Sequence, residues 1–437
     1  MKVKHIYKYL ILALVAVILG ACTSTEADPK FDESPLERQN SRKKELNDVL
    51  LSSTEGWKLV YYTDNTQLGG WTHLFKFLPN GKVDMASDFD SDTDVHQSQY
   101  DLQLGSTVSL VFTTANRIHL LSQSDNYPTA ALVGKGYLGD FQFFYYGVEN
   151  GEIIFRTNRD FKEIRFKKAI AQDWTDLAKN TVMAENMSSK IFRLLDINDG
   201  STVSHYDFDV NYDARFAVAN SLESATAKGY NIAYQLTPTG ITVKPELEVK
   251  GQKLSDFIYD SATENFVATG TNGVSATIKF TFTPPVLTDD YKILLAGQPA
   301  SRFGYFADDT TADAPTNTKQ FKDAFAGVNA QLDGDDELTG VQLYFNHATQ
   351  GNIIYYTFAS GATFIHRINV VEDAAGKKII LKHRSGTVPP FLVDFEKFLL
   401  DPNGIYVKKE AFKLTYTNTI YTFTSASSSF RMTTYKL

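Results

Sequence analysis

His73–Met85, with the sequence HLFKFLPNGKVDM, is the stretch that decides the fold. Two short runs rich in apolar and aromatic residues flank Pro79-Asn80-Gly81, and Asn-Gly between such runs is the strongest short-range signal of a β-hairpin. Similar runs recur along the whole chain, separated by turns of Gly, Asn and Asp. Short strands at close spacing are typical of antiparallel meanders, barrels and sandwiches.

This pattern predicts a mainly β protein with two or three antiparallel meander, barrel-like or sandwich modules and a few short helices. The 31 Phe and 23 Tyr residues agree with this, because strands favour aromatic side chains. Pro284-Pro285 marks a domain boundary. We predict an N-terminal helix plus β-meander domain over 34–168, a helix plus second β module over 169–283, and a C-terminal β module over 286–437.

Three helices are predicted within these domains. Ser34-Pro35-Leu36-Glu37 has the sequence of a capping box with Pro at the first helical position, so a helix begins there and should end within 52–56. A second helix is predicted over Asp173–Met187 and a third over Thr318–Val328. Two apolar runs near the C-terminus are predicted as strands: Phe391–Phe395 and Phe412–Tyr416.

A five-residue echo suggests an internal repeat. Gly240–Lys244 (GITVK) resembles Gly404–Lys408 (GIYVK), and Gly151 starts a similar strand. The echo indicates either a repeated β-module or only the general likeness of strands that follow turns.

The N-terminus carries the pattern of a lipoprotein signal peptide. Three lysines precede an apolar run that ends in Leu19-Gly20-Ala21-Cys22, a lipobox. Cys22 is the one cysteine of the 437 residues, and it stands where lipidation needs a thiol. We therefore predict a signal peptide over 1–21, lipidation of Cys22, and a polar tether over 22–33.

Two rival interpretations fit this segment less well. The apolar run is shorter than the roughly 20 residues that span a bilayer, so it does not predict a transmembrane anchor. A plain secretory signal cut after Ala21 satisfies the cleavage rule, but it would leave a free thiol at a secreted N-terminus. Diacylglycerol plus an amide-linked chain on Cys22 would meet the two-signal requirement for stable membrane anchoring.

The charge of the chain argues against one class of partner. The formal net charge is −8, and removal of the signal peptide with its three lysines makes the chain more acidic. Nucleic acid binding calls for basic surfaces, so no nucleic acid partner is expected. With Cys22 lipidated no disulfide can form, and the packed cores must carry the stability.

No catalytic residue, metal site or cofactor is predicted. The eight histidines include no pair four residues apart, so the helical zinc-protease motif is absent. Asp88–Asp94 has carboxylates at alternate positions, but Thr93 stands where an EF-hand needs Gly and Gln99 where it needs Glu. We interpret it as a solvated acidic loop. A serine triad or a carboxylate pair stays open, because the members of such sites are distant in the chain.

Trp71 is the residue predicted to contact a ligand. It follows Gly69-Gly70 in an expected loop, which would let its ring serve as an exposed platform for a sugar or a peptide. The alternative is that Trp71 is a core residue, as large aromatic side chains in strands commonly are.

Several segments in order carry a family resemblance. Gly136–Phe143, GYLGDFQF, is similar to a pattern of two glycines, aspartate, phenylalanine, any residue and phenylalanine, with Leu138 in place of the first glycine. Other matching segments are Gly56-Trp57, Phe75–Phe77 with Asn80–Val83, Ser98-Gln99-Tyr100 and Asn116–His119. Together, from the lipobox through about Lys168, they resemble the Bacteroidota lipoprotein family called domain of unknown function 4302.

The resemblance implies an accessory protein encoded beside starch-utilisation-type nutrient importers, each of which is a barrel with a lipoprotein lid. The family has no established activity or functional residues. Thr23 is not the aspartate that holds similar bacterial lipoproteins at the inner membrane, and Glu26 with Asp28 looks like a short acidic export signal. The resemblance therefore implies an outer-membrane, lipid-anchored protein that faces outward.

The predicted function is that of an accessory binding protein of a nutrient uptake system, without enzymatic activity. It would associate with the membrane through its lipid, with an importer complex, and with a glycan or peptide ligand. One alternative is a surface hydrolase of glycans or peptides, and another is a structural or adhesive surface lipoprotein. A triad or two carboxylates in a pocket would favour the hydrolase, whereas an open aromatic groove would favour the binding protein.

Overall fold

A computed structural model describes residues 34–437 with the exception of 106, 225 and 335. The predicted signal peptide, Cys22 and the tether lie outside the described residues. The described part is mainly β, as the sequence predicts, and its strands form barrels.

The described residues form five α-helices: α1 (Pro35–Leu51), α2 (Ala171–Asp176), α3 (Lys179–Met187), α4 (Lys319–Asn329) and α5 (Pro390–Leu399). The predicted capping box is present at α1. The Glu37 backbone N–H donates to Ser34 Oγ at 3.2 Å, and the Ser34 N–H donates to Glu37 Oε2 at 2.8 Å. These bonds give partners to N–H groups that a helix start leaves free. None of the helices in this part of the chain is both long and apolar enough to cross a bilayer.

The first barrel contains strands β1 to β8. Each strand pairs antiparallel with the next, and β1 pairs with both β2 and β8, which closes the ring. The strands are β1 (Trp57–Tyr62), β2 (Gly70–Phe77), β3 (Lys82–Ser87), β4 (His96–Leu104), β5 (Val108–Phe112), β6 (Gln142–Glu149), β7 (Glu152–Thr157) and β8 (Glu163–Lys168).

The second barrel repeats this arrangement with strands β9 to β16. The ring is closed because β16 pairs antiparallel with β9 over its whole length. The strands are β9 (Phe192–Asp199), β10 (Val203–Asn211), β11 (Phe216–Ser221), β12 (Tyr230–Thr237), β13 (Gly240–Val249), β14 (Gln252–Asp260), β15 (Asn265–Thr269) and β16 (Val274–Thr281).

The third barrel contains strands β17 to β24 and the helices α4 and α5. It is closed by the pairing of β17 with β24. The strands are β17 (Ser301–Phe306), β18 (Leu338–His347), β19 (Gly351–Phe358), β20 (Thr363–Asp373), β21 (Lys378–Ser385), β22 (Ile405–Lys409), β23 (Ile420–Ser425) and β24 (Arg431–Lys436).

Each barrel encloses its own hydrophobic core. In the first barrel, the residues of β1 alternate between buried and half-buried, as expected for a strand with one face toward a core. Phe75 stacks on Phe166 with a centroid distance of 4.9 Å and on Phe112 at 5.3 Å. Aromatic pairs of this kind contribute beyond the area that they bury. The fold-deciding hairpin therefore supplies both a turn and core side chains.

The predicted strand Phe391–Phe395 is wrong, because these residues lie in helix α5. The five residues of the predicted strand are too few to show the helical spacing of apolar residues, which is visible over the whole segment. Leu392, Phe395 and Leu399 recur at intervals of three and four residues and are fully buried, and Pro390 occupies the start of the helix.

Two other predicted elements differ from the structure. The predicted helix Asp173–Met187 is divided, since α2 ends at Asp176 and α3 begins at Lys179. The predicted strand Phe412–Tyr416 is wrong, because this segment is a loop between β22 and β23. Strands β22 and β23 pair directly with each other in the closed third barrel. The segment between them therefore finds no unpaired strand edge to which it could add as a strand.

The short sequence echo does not mark equivalent strands. Gly240–Lys244 lies in β13, the fifth strand of the second barrel, whereas Ile405–Lys409 is the sixth strand of the third. Gly151 precedes β7, the seventh strand of the first barrel. The three barrels share their strand number and closure, and the echo reflects only the likeness of strands that follow turns.

Candidate binding cleft between the first and second barrels

The first and second barrels meet at Gly69 and Gly70. Gly70 at the start of β2 forms a parallel bridge with Gln235 of β12, and the Gly69 N–H donates to the Ala214 carbonyl at 2.8 Å. A Cβ atom on Gly69 would lie 2.2 Å from the Tyr234 carbonyl oxygen, a distance that real Cβ atoms do not adopt. The missing side chain at Gly69 therefore permits the backbone contact between the barrels.

Arg215 of the second barrel extends into this joint and binds Asp88 of the first. Its Nη1 donates to Asp88 Oδ1 at 3.0 Å and to the Gly70 carbonyl at 2.9 Å, and its Nη2 donates to the Asp88 carbonyl. The Thr72 N–H donates to Asp88 Oδ1 at 2.8 Å, and Asn180 Nδ2 of α3 donates to Oδ2 at 2.7 Å. The buried Arg215–Asp88 ion pair also forms hydrogen bonds with the polar groups around it. Such a network favours one relative arrangement of the two barrels.

Trp71 lies beneath this joint, so the prediction of an exposed ligand platform is wrong. It belongs to β2, and its side chain is buried, with 1% of its surface exposed to solvent. Its ring packs edge-on against Tyr137 at 5.2 Å and lies 6.1 Å from Phe89, and the Arg215 guanidinium lies 5.5 Å from it. The two glycines before Trp71 form the barrel contact and do not open a loop. Trp71 supports other aromatic side chains from below.

An open cleft of about 640 Å³ lies above this support, between the first and second barrels. Phe89 and Tyr137 line it from the first barrel, with their rings 5.0 Å apart. Tyr212 and Tyr234 line it from the second. Ligand sites are commonly concave, of this size, rich in aromatic side chains and located between domains. We refer to it below as the aromatic cleft.

The segment that carries the family resemblance positions Tyr137. The N–H groups of Tyr137 and Gly139 both donate to the Leu121 carbonyl, at 2.9 and 3.0 Å. Gly136 has φ of 62° and Leu138 has φ of 58°, so both occupy the left-handed region. The resembling pattern has glycine where this chain has Leu138, and the backbone gives the reason, because a left-handed residue without a Cβ is unstrained.

The polar groups of the aromatic cleft make it acidic. Glu185 and Asp213 line it, while its cation, Arg215, is bound to Asp88. Burial raises the pKa of the Tyr137 hydroxyl to about 12, and the Asp213 charge acts in the same direction. Tyr137 therefore remains a neutral hydrogen-bond donor at every physiological pH.

Asp90 and Asp92 of the acidic loop Asp88–Asp94 are paired with side chains outside the loop. Arg117 binds the Asp90 carboxylate and lies 3.6 Å from Asp92, and His96 Nε2 lies 2.9 Å from Asp92 Oδ2. Across the described ranges, no group of three His, Cys, Asp or Glu side chains has the arrangement of a metal site.

One buried cluster in the third barrel contains groups used by hydrolases. His366 Nδ1 lies 2.7 Å from Glu396 Oε2, and the Tyr356 hydroxyl donates to Glu396 Oε1 at 2.9 Å. His366 Nε2 lies 2.7 Å from His383 Nδ1. In a hydrolytic triad that position belongs to a hydroxyl or thiol nucleophile. A second imidazole occupies it here, so this cluster lacks the arrangement for acyl transfer.

Sequence reasoning did not identify the residues of this site. Tyr137 lies in the quoted resembling segment, and Phe89 lies in the acidic loop, but nothing in their spacing indicates that both face one cleft. Arg215 has no sequence signal, since it is separated from Asp88 by 127 residues. Cys22 lies outside the described residues.

The fold and the site define a protein of three eight-stranded antiparallel barrels, with an aromatic cleft between the first two. The chain belongs to the family described as domain of unknown function (DUF4302), whose model matches residues 27–261. This range contains every residue that lines the aromatic cleft. No curated protein matches the chain in sequence.

The chain shows a low likeness to solved DNA sliding clamps. The DNA polymerase sliding clamp from Bacillus subtilis is 11% identical over 92% of this chain and 97% of that chain, with a TM-score of 0.20. The beta subunit from DNA polymerase of Streptococcus pyogenes is 10% identical over the same shares, also with a TM-score of 0.20. Likeness at this level carries no argument about fold or partners.

Proposed function

We propose that this chain is a lipid-anchored accessory binding protein of a nutrient uptake system on the outer membrane, and that the aromatic cleft holds its glycan or peptide ligand. The observation that carries the proposal is the cleft itself. Phe89 and Tyr137 of the first barrel and Tyr212 and Tyr234 of the second line this one cleft. Its walls are held in place by the Arg215–Asp88 ion pair and by Trp71, so little order has to be gained when a ligand binds.

The lining favours a neutral glycan over an anionic ligand. Aromatic rings cover the apolar C–H faces of a sugar, and carboxylates such as Asp213 and Glu185 accept hydrogen bonds from its hydroxyl groups. The same acidic groups repel anions, which agrees with the expectation of no nucleic acid partner. A lipid on Cys22 would keep the cleft near an importer, where weak binding suffices because tethering raises the effective concentration.

Binding at the aromatic cleft is tested by titrating neutral oligosaccharides and short peptides into wild type and into Phe89→Ala and Tyr137→Ala. Loss of an aromatic anchor should weaken binding by on the order of 2 kcal/mol, or about thirtyfold. Tyr146→Ala is the matched control, because Tyr146 is an exposed tyrosine of the first barrel outside the cleft. Equal affinity of all variants would reject the cleft as the site. Turnover of any of these ligands by purified wild type would favour the hydrolase alternative.

The anchor is tested separately by Cys22→Ser. This variant should lose labelled fatty acid and move from the membrane to the soluble fraction. It should melt like wild type, because Cys22 precedes the first element of the described fold. Retention in membranes at high salt would contradict the lipid anchor without bearing on the cleft.

A further inference from the structure

The charges that line the aromatic cleft do not cancel one another. Among the described residues, the charged lining side chains are four carboxylates and one guanidinium: Asp88, Asp90, Glu185, Asp213 and Arg215. Two of the carboxylates are paired, Asp88 with Arg215 and Asp90 with Arg117. The other two form no ion pair with any residue of the described ranges. Two negative charges of the cleft therefore lack a partner.

The two unpaired carboxylates belong to Glu185 and Asp213, and both stand beside Tyr212. The Tyr212 hydroxyl donates to the Met187 carbonyl at 3.0 Å, so this side chain lies against the end of α3. Glu185 precedes Met187 by two residues on the same helix, and Asp213 follows Tyr212 directly in the chain. All three of Glu185, Tyr212 and Asp213 line the cleft.

The tight turn between β10 and β11 directs Asp213 toward the cleft. The Arg215 N–H donates to the Tyr212 carbonyl at 3.1 Å, which closes the turn. Ala214 is buried, and Arg215 extends into the joint between the barrels. Asp213 remains exposed, and neither its carboxylate nor that of Glu185 accepts a hydrogen bond from a described residue. Both groups are therefore available to a ligand.

The rings of the cleft add a second attraction for a positive charge. Phe89 and Tyr212 are half-buried, so part of each side chain is open. The face of an aromatic ring attracts a cation. This chain contains such contacts already, since Arg215 lies 5.5 Å from the Trp71 ring and Arg193 lies 5.2 Å from the Tyr212 ring. Arg193 does not line the cleft, so the two carboxylates there keep their charge uncompensated.

We infer that the aromatic cleft selects a glycan that carries a protonated amino group, such as glucosamine whose nitrogen is not acetylated. This inference rests on the proposed function and adds the class of ligand. The ammonium group would bind Asp213 and Glu185 through charge-assisted hydrogen bonds, while the apolar face of the sugar would pack on Phe89 and Tyr212. A neutral sugar would cover the same carboxylates without giving them a cation, and removal of a charge from water is costly when it gains no partner.

Two trisaccharides of β-1,4-linked glucosamine test the inference, one with free amino groups and the other fully N-acetylated. Both are titrated calorimetrically into the wild-type chain at pH 6 and at pH 8. At pH 6 the free-amine trisaccharide should bind about tenfold more tightly, because its cations form ion pairs that an amide cannot form. The difference should shrink at pH 8, where the sugar amines lose most of their charge, whereas the N-acetylated trisaccharide should bind equally at both values.

The outcomes separate this inference from the proposed function. Equal affinity of the two trisaccharides at pH 6 would overturn the selection for an amine and leave the cleft as a glycan site. Failure of both to bind at millimolar concentration would overturn the inference, and failure of every neutral oligosaccharide and peptide as well would reject the proposed function.

Protein variants assign the preference to the two carboxylates. Asp213→Asn and Glu185→Gln should each reduce the preference for the free amine, and the double variant should abolish it, with no change in the affinity for the N-acetylated trisaccharide. Asp101→Asn is the matched control, because Asp101 is an exposed aspartate of β4 outside the cleft. A preference that survives in the double variant would contradict the inference. Binding of trilysine that depends on Asp213, with neither trisaccharide bound, would replace the glycan with a basic peptide.

Discussion

Arg215 and Asp88 stand 127 residues apart in the chain, and Arg215 Nη1 lies 3.0 Å from Asp88 Oδ1. The pair joins two barrels that each have a closed ring of strands and a separate core. Arg215 has φ of 49°, in the left-handed region that costs a residue with a Cβ about 1 kcal/mol. Its bonds to the first barrel stabilise this conformation.

Removal of one partner of this pair should be strongly destabilising. Asp88→Ala leaves a buried guanidinium without its anion, which costs about 3–5 kcal/mol of unfolding free energy. The double variant Asp88→Ala/Arg215→Ala should lose less than the sum of the two single variants in urea denaturation. Asp94→Ala is the control, because Asp94 is an exposed aspartate of the same loop. Additive losses would show that the two side chains do not stabilise the joint together.

Gly69→Ala should destabilise the contact between the barrels. The added methyl group would meet the Tyr234 carbonyl and the Arg215 Cβ, and overpacking of this kind costs about 1–3 kcal/mol. Gly327→Ala is the control, and its effect on stability should be opposite to that of Gly69→Ala. A Cβ at Gly327 in α4 meets no atom within 4 Å. It should stabilise the helix by about 0.5–1 kcal/mol. Thermal melts of both variants measure the contrast.

Trp71→Ala should act on stability and not on a ligand contact. The side chain fills a core position beneath Tyr137 and Phe89, and truncation of a buried Trp costs about 3–5 kcal/mol. Thermal melting should therefore fall by many degrees, whereas Tyr146→Ala on the surface should change it little. A stable Trp71→Ala variant with weakened ligand binding would restore the platform interpretation.

His73 should make the first barrel sensitive to acid. The imidazole is fully buried without a hydrogen-bond partner, and burial, with Arg117 and Arg215 nearby, lowers its pKa to about 3. The unfolded chain binds this proton at a pKa of about 6.5. Stability is therefore present above pH 6.5 and is lost as the pH falls from about 6.5 to 3, by roughly 5 kcal/mol in total.

Substitution of His73 by Leu removes the group whose protonation destabilises the fold at low pH. His73→Leu should resist acid denaturation between pH 6 and 4 better than wild type, as followed by circular dichroism. Val148→Leu, which changes an exposed side chain of the same barrel that binds no proton, should keep the wild-type pH dependence. Identical acid midpoints for His73→Leu and wild type would contradict the buried neutral imidazole.

Local sequence patterns predicted the elements whose signals are short-range. The capping box at Ser34 and Glu37 and the hairpin of His73–Met85 follow from adjacent residues, and both are present. The five-residue run 391–395 does not predict the helix Pro390–Leu399, because the helical apolar spacing shows only over ten residues. The pairing of β17 with β24, which closes the third barrel, has no local signal, because the two strands lie at opposite ends of that barrel's sequence.

The sequence by itself determined that the chain is mainly β, because strand periodicity and turn residues act over a few positions. It also shows that Cys22 is the single cysteine, on which the proposed lipidation depends. Only the tertiary structure decided that Trp71 is buried and that Phe89, Tyr137, Tyr212 and Tyr234 share one cleft. Ring closure and the Arg215–Asp88 pair bring together residues that are distant in the chain, and no local pattern encodes such distances.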